Sequence, residues 1–171
     1  MSTSLVLTVI GNDRPGLVEA LSAAISAHQG NWLESSLSRL AGQFAGIVRV
    51  ALPAAQVGSL QGALRGLSDL QITTAISATE PKAEGRMLLL ALVGHDRIGI
   101  VKEVTQVLAR HAVNVEKLTT YTASAPMSAE TLFHANAELR AAPSLDARAL
   151  KSELEHLSDD LMVDITIVEN I

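Results

Sequence analysis

The chain has 171 residues, 48% hydrophobic and 18% charged, which is enough apolar material for a buried core and too much for a disordered segment. Only 2% of residues are aromatic, the net charge is −5, and no run of Lys or Arg occurs, so neither a base-stacking platform nor a phosphate-binding surface is expected. The absence of cysteine removes disulfides, thiolate metal sites and Cys nucleophiles, and fits a reducing cytoplasm.

In chain order, residues 4–10 form a short, β-rich apolar run that predicts a buried strand. No basic region precedes it and it is too short for a signal peptide, which adds to the expectation of a cytoplasmic protein. Apolar positions 17, 18, 21, 24, 25 and 28 then recur with the spacing of one helix face. Gly30 follows, where a left-handed C-cap would cost a residue with a Cβ about 1–2 kcal/mol. Residues 31–40 and 44–52 alternate as two strands around Ala41-Gly42-Gln43, a hairpin turn. Val57, Leu60, Leu64 and Leu67 make a second amphipathic stripe. Leu70, Ile72, Thr74 and Ile76 alternate as a last strand.

The second half repeats the first. Gly11-Asn-Asp-Arg-Pro-Gly16-Leu-Val18 matches Gly94-His-Asp-Arg-Ile-Gly99-Ile-Val101 at an offset of 83, as do Leu21 with Val104, Ile25 with Leu108, His28 with His111 and Asn31 with Asn114. Later the offset is 90, pairing Leu60, Leu64 and Leu67 with Leu150, Leu154 and Leu157, so the second copy carries a few extra residues. Residues 87–93, the longest apolar run, form its first strand and fall far short of the ~20 residues a membrane helix needs, so no membrane association is expected. Leu161, Val163, Ile165 and Ile167 repeat the last strand. The polar stretch Thr79-Glu-Pro-Lys-Ala-Glu-Gly85 separates the copies, which predicts domain 1 over 1–79, a linker over 80–85 and domain 2 over 86–171. Neither half is basic: residues 1–85 hold 5 Lys or Arg against 6 Asp or Glu, and the remainder 8 against 12.

The order βαββαβ, twice, closes with right-handed crossovers as two α+β, ferredoxin-like units, each with two helices on one face of a four-stranded antiparallel sheet. The other sheet face needs a partner or stays wet. Packing of the copies together, edge to edge or sheet to sheet, is the economical solution.

Chemistry concentrates at the repeated bends between first strand and first helix. Asp13 and Asp96 stand where an N-cap is wanted, and Pro15 suits a first helical turn. These bends are either well-built turns or places where small residues let a ligand carboxylate meet helix N–H groups. They are not P-loops, since no Lys-Ser/Thr follows Gly16 or Gly99, and they lack the Gly-x-Gly-x-x-Gly of dinucleotide sites. Asn31 and Asn114 open the second strands; an amide offers both donor and acceptor to an ammonium and a carboxylate, or simply stabilises a turn. His28 and His111 sit at helix ends, where the dipole favours them. His95, His134 and His156 have no metal-ligand spacing, and Glu153, Glu155, Asp159 and Asp160 read as a solvated face. No metalloprotease motif or nucleophile elbow occurs. A pair of His95 and Asp96 is the only enzymatic alternative the residues offer, and the chain is expected not to be an enzyme and to need no cofactor.

Gly-x-Asp-Arg-Pro-Gly-Leu-Val after a first strand, with Gly30-Asn31 about 14 residues beyond the second Gly, resembles the ACT domain, a βαββαβ regulatory module of amino-acid metabolism. The resemblance covers residues 4–78 and 86–169. Two such units without a catalytic domain look like the glycine cleavage system transcriptional repressor group. The resemblance implies a small amino acid, glycine or serine, bound at an interface between units. Copy one would supply Gly11, Asn12, Asp13, Gly16, Leu17 and Asn31; copy two would supply Gly94, His95, Asp96, Gly99, Ile100 and Asn114. It further implies a homodimer, and action through contact with a DNA-binding transcription activator rather than with DNA. Ile98 stands where the motif has Pro, and Gly11 and Gly94 where some amino-acid-binding members place a polar side chain. A ligand-independent interaction module is the alternative.

Overall fold

A computed structural model describes residues 1–78 and 83–168, which divide into two units, Met1–Lys82 and Ala83–Ile171, each with its own core. In the first, β1 (Ser2–Asn12) alternates, and Leu5, Leu7 and Val9 are fully buried. α1 (Leu17–Ala27) lays Leu17, Leu21 and Ile25 on them while Val18 stays exposed. β2 (Asn31–Leu40) and β3 (Gln43–Pro53) follow, and β3 adds Val48, Val50 and Leu52 to the same core. After a short 3-10 turn over Ala54–Gln56, α2 (Val57–Arg65) contributes Leu60 and Leu64, and β4 (Gln71–Ser77) completes the sheet. Burying each such Leu or Val contributes roughly 1.5–3 kcal/mol.

The strand order is β2-β3-β1-β4 with every neighbour antiparallel, the ferredoxin-like arrangement. β2 bulges between Trp32 and Glu34. The face of the sheet away from the helices carries Val6, Thr8, Ile10 and Ile47, the two isoleucines exposed.

The second unit repeats this order with β5 (Arg86–His95), α3 (Ile100–Arg110), β6 (Asn114–Ser124), β7 (Thr131–Ala141), α4 (Ala147–Glu155) and β8 (Met162–Val168). Its sheet runs β6-β7-β5-β8. Leu88, Leu90 and Leu92 face Ile100, Val104, Val107, Leu108, Leu150 and Leu154. No helix among the described residues is long and apolar enough to cross a membrane.

The extra residues of the second copy lie chiefly in one place. Gly11 pairs with Phe44 and Gly94 with Phe133, so the offset between copies grows from 83 to 89 across the central hairpin. In the first unit that hairpin closes on Ala41 and Gly42, at φ 50° and 79°, the two positive angles of a type I′ turn. In the second, residues 125–130 form a six-residue loop between Ser124 and Thr131, which are themselves paired.

Some local expectations need correction. Neither Asp13 nor Asp96 caps a helix. The N-caps are Gly16 and Gly99, at φ 91° and 90°, because the chain turns sharply into the helix there and a left-handed residue is required. Pro15 lies in the turn before the first of these helices. At the other end of α1 the left-handed residue is Gln29 (φ 58°), not Gly30; Ala112 (φ 53°) does the same after α3. Gly30 is glycine for another reason: a Cβ would stand 2.7 Å from Ile25 Cγ2 and 2.8 Å from the Ile25 carbonyl. The alternation of the last strand stops short, since Ile76 shares the helix-side face with Leu5 but is exposed beyond the helices. Part of the linker expected over 80–85 lies outside the described residues.

Candidate ligand-binding bends

Each bend runs from the end of a central strand to a helix start. In the first, Gly11 packs under the chain that leaves α2: a Cβ would sit 2.2 Å from the Asp69 carbonyl oxygen and 3.0 Å from Leu70 Cδ2. The Asn12 Oδ1 accepts from Gln43 Nε2 at 2.7 Å, and the Asp13 N–H donates to the Gly42 carbonyl at 2.9 Å. The Asp13 carboxylate meets Arg39 Nε at 2.7 Å, while Arg14 pairs with Asp69. Sequence reasoning missed Arg39, Gln43 and Asp69, because only the hairpin and the α2–β4 connection bring them to the bend.

Gly16 is different from Gly11. Its αL geometry is demanded, yet nothing lies within 4 Å of where a Cβ would point. No side chain caps α1 or α3, whereas Asp146 caps α4 through the N–H groups of Arg148 and Ala149. The opening N–H groups of α1 and α3 thus have no side-chain acceptor, the Ile100 N–H facing the Arg97 carbonyl at 3.5 Å, and the partial positive charge of the helix dipole lies behind them. Leu17 and Ile100 are buried, so their side chains are closed to a ligand.

The second bend is built from other side chains. Gly94 leaves room for Leu161, whose Cδ1 would be 2.7 Å from a Cβ. The His95 N–H donates to Asp160 Oδ2 at 2.6 Å. The His95 ring lies between two carboxylates, with Nε2 2.8 Å from Glu130 and Nδ1 3.1 Å from Asp160. Ser158 donates its hydroxyl to Asp160 as well. These donors, Ser158 first and the His95 amide next, hold the Asp160 carboxyl down to about 2 against an ordinary 3.8. Asp96 sets the bend through its N–H, which donates to the Thr131 carbonyl at 3.0 Å. Arg97 pairs with Glu103 of α3, which keeps the Glu103 carboxyl below its usual range.

Asp160 and Glu153 are therefore not merely solvated. Glu153 accepts from Arg110 Nε at 3.0 Å and lies 2.5 Å from His111 Nε2, fastening the end of α3 to α4 and lowering its own pKa, chiefly through Arg110. His28, the counterpart of His111, lies 2.8 Å by Nδ1 from the Ala24 carbonyl of its own helix. Among the described residues no group of three or more His, Asp or Glu could hold a metal ion.

Asn31 and Asn114 do not join the bends of their own units. Asn31 pairs with Ala51, which is level with Ser4 at the start of β1, whereas Gly11 lies seven residues along that strand. At about 3.3 Å per residue the two positions are roughly 23 Å apart. Asn114, opposite Arg140, is equally remote from Gly94 in the second unit.

The model of the ACT domain family matches residues 3–77 and 86–168. No curated protein matches the chain in sequence. A crystal structure described as an unknown protein from Galdieria sulphuraria is 31% identical, with a TM-score of 0.88, over 99% of this chain and 100% of that one. A second crystal structure, of a protein named as a candidate glycine cleavage system transcriptional repressor, is 18% identical with a TM-score of 0.73, over 99% of both chains. The latter likeness is one of fold.

Proposed function

The chain belongs to the ACT domain family, and on that premise we propose that it is a non-enzymatic regulatory protein that senses a small amino acid, glycine or serine. The observation that carries this reading is the pair of uncapped helix N-termini, each entered through a left-handed glycine with open space beside it. Such an N-terminus receives a carboxylate on its N–H groups. Asn31 or Asn114 would serve the ammonium. Since neither asparagine reaches the bend of its own unit, a ligand touching both would draw on a second copy of the chain, as in a homodimer.

The acidic charge of the chain favours a protein partner over nucleic acid. Following the resemblance of the tandem repeat to the repressor group, that partner would be a DNA-binding activator of glycine cleavage metabolism. Binding near 1 mM, worth only ~4 kcal/mol, is enough for a metabolite sensor. At ten times its dissociation constant the ligand adds roughly 1.4 kcal/mol to stability. A thermal-shift series with glycine, serine and other amino acids at about ten times that concentration should raise the melting temperature for one of them. No shift for any of them overturns the sensor reading.

One observation favours a second reading, a ligand-independent interaction module. The hollows of Gly11 and Gly94 are filled by the chain's own Asp69 and Leu161. Capture of an activator that is indifferent to added amino acid would select it.

A further inference from the structure

The sheet faces turned away from the helices differ in charge between the units. On the first, the charged side chains among the described residues are Glu34 and Arg49, in register across β2 and β3 and paired at 2.8 Å. On the second, Arg140 and Glu116 are paired at 2.9 Å, but Lys117, Glu138 and Asp164 line one open hollow and make no ion pair among the described residues. Lys117 stands on β6 and Asp164 on β8, the two outer strands, so opposite charges lie at opposite edges of the face. Large apolar side chains are exposed at the same edges, Tyr121 on β6 at 52% and Met162 on β8 at 68%. We propose that this face of the second unit docks on the same face of a second copy of the chain, about a twofold axis that runs along the strands.

The direction of the axis follows from the charges. Sheets packed face to face keep their strands within about 30° of one another, which leaves two twofold arrangements. An axis across the strands lays β6 on β6 and β8 on β8, so like charges share an edge. An axis along the strands lays β6 of each copy on β8 of the other. In register across the sheet, Tyr121 lies in one row with Met162 and Thr119 in the next with Asp164, and Lys117 is one row beyond. The second arrangement therefore sets Tyr121 against Met162 of the second copy. It also puts Lys117 between Glu138, its register neighbour, and Asp164 of the second copy. The Tyr121 ring is already held flat on His134, with centroids 4.6 Å apart and planes 4° from parallel, so docking costs it little freedom. A methionine sulfur against an aromatic ring is a favourable contact. Four strands about 4.8 Å apart and seven residues at about 3.3 Å make a face of roughly 19 by 23 Å, the small end of specific interfaces. The dimer is accordingly weak and concentration-dependent. It asks nothing of the glycine bends and stands apart from the amino-acid reading.

The test is sedimentation equilibrium of the full chain over a wide concentration range, with no amino acid added. The mass should move from one chain toward two as concentration rises. Asp164→Lys and Lys117→Glu should each raise the dissociation constant at least about tenfold, because two like-charge contacts replace two attractive ones. The two changes combined should bring association back, since every swapped charge again faces its opposite. Circular dichroism checks that each variant is folded. A chain that stays monomeric, a dimer indifferent to Asp164→Lys, or a double variant no better than the singles overturns the proposal. Should a charge variant fail to fold, Met162→Ala decides: the dimer weakens if this face is the contact, and a dimer unchanged by it overturns the proposal.

Discussion

Gly11 lies beneath the Asp69 carbonyl so closely that a Cβ would stand 2.2 Å from the oxygen. The neighbour is backbone, which cannot rotate aside. Gly11→Ala is expected to destabilise the first unit by roughly 1–3 kcal/mol, the range of an overpacked core. The single Trp, Trp32, packs against that unit's core, so its fluorescence during denaturant unfolding reads this unit. An unchanged midpoint would show that the α2–β4 connection yields.

Gly16 and Gly99 should respond to the same substitution for a different reason. Space is open at both, and only φ near 90° objects. Gly16→Ala and Gly99→Ala should each cost about 1–2 kcal/mol. Asn tolerates left-handed backbone better than Ala, so Gly16→Asn should lose less. Equal losses for Ala and Asn would place the cost elsewhere than in backbone angle.

Asp160 gives the second unit an acid-sensitive seam. Its carboxyl is held at about 2 in the folded chain against 3.8 ordinarily, so its contribution is fully present above pH ~4 and is lost as pH falls toward 2. Asp160→Asn should therefore melt lower than the parent at pH 7, and the difference should shrink steadily between pH 4 and pH 2. Parallel melting curves across that window would contradict the assignment.

The left-handed residues that end α1 and α3 are Gln29 and Ala112, neither of them glycine. Replacing either with Gly removes the Cβ penalty at some entropic cost to the unfolded chain, so Gln29→Gly and Ala112→Gly should stabilise by up to about 1 kcal/mol. Chemical denaturation of each variant checks this; a loss of stability would mean that the side chain itself is needed.

The repeat made most of the fold legible. Two copies of one pattern, with Leu21 beside Val104 and Leu60 beside Leu150, expose helix faces that a single copy would leave ambiguous. The bends were legible as glycine-rich turns but not in their wiring. Asp13 looks like an N-cap when only chain neighbours are considered; its actual partner, Arg39, arrives from the far arm of a hairpin. Likewise Asp160 sits in an acidic stretch that reads as solvent-facing, and only the α4–β8 connection carries it to His95, 65 residues away. Asn31 and Gly16 look like companions because 15 positions of chain separate them, yet the helix between carries the chain back along the sheet and sets them at opposite ends.

That last separation gives each copy of the repeat a polarity. Each copy holds its glycine bend and its asparagine at two poles of its own sheet. A ligand small enough to sit at one pole cannot touch the other within the same copy. The two copies share that polarity and differ at one pole, where the second has the longer hairpin and an imidazole in place of an amide.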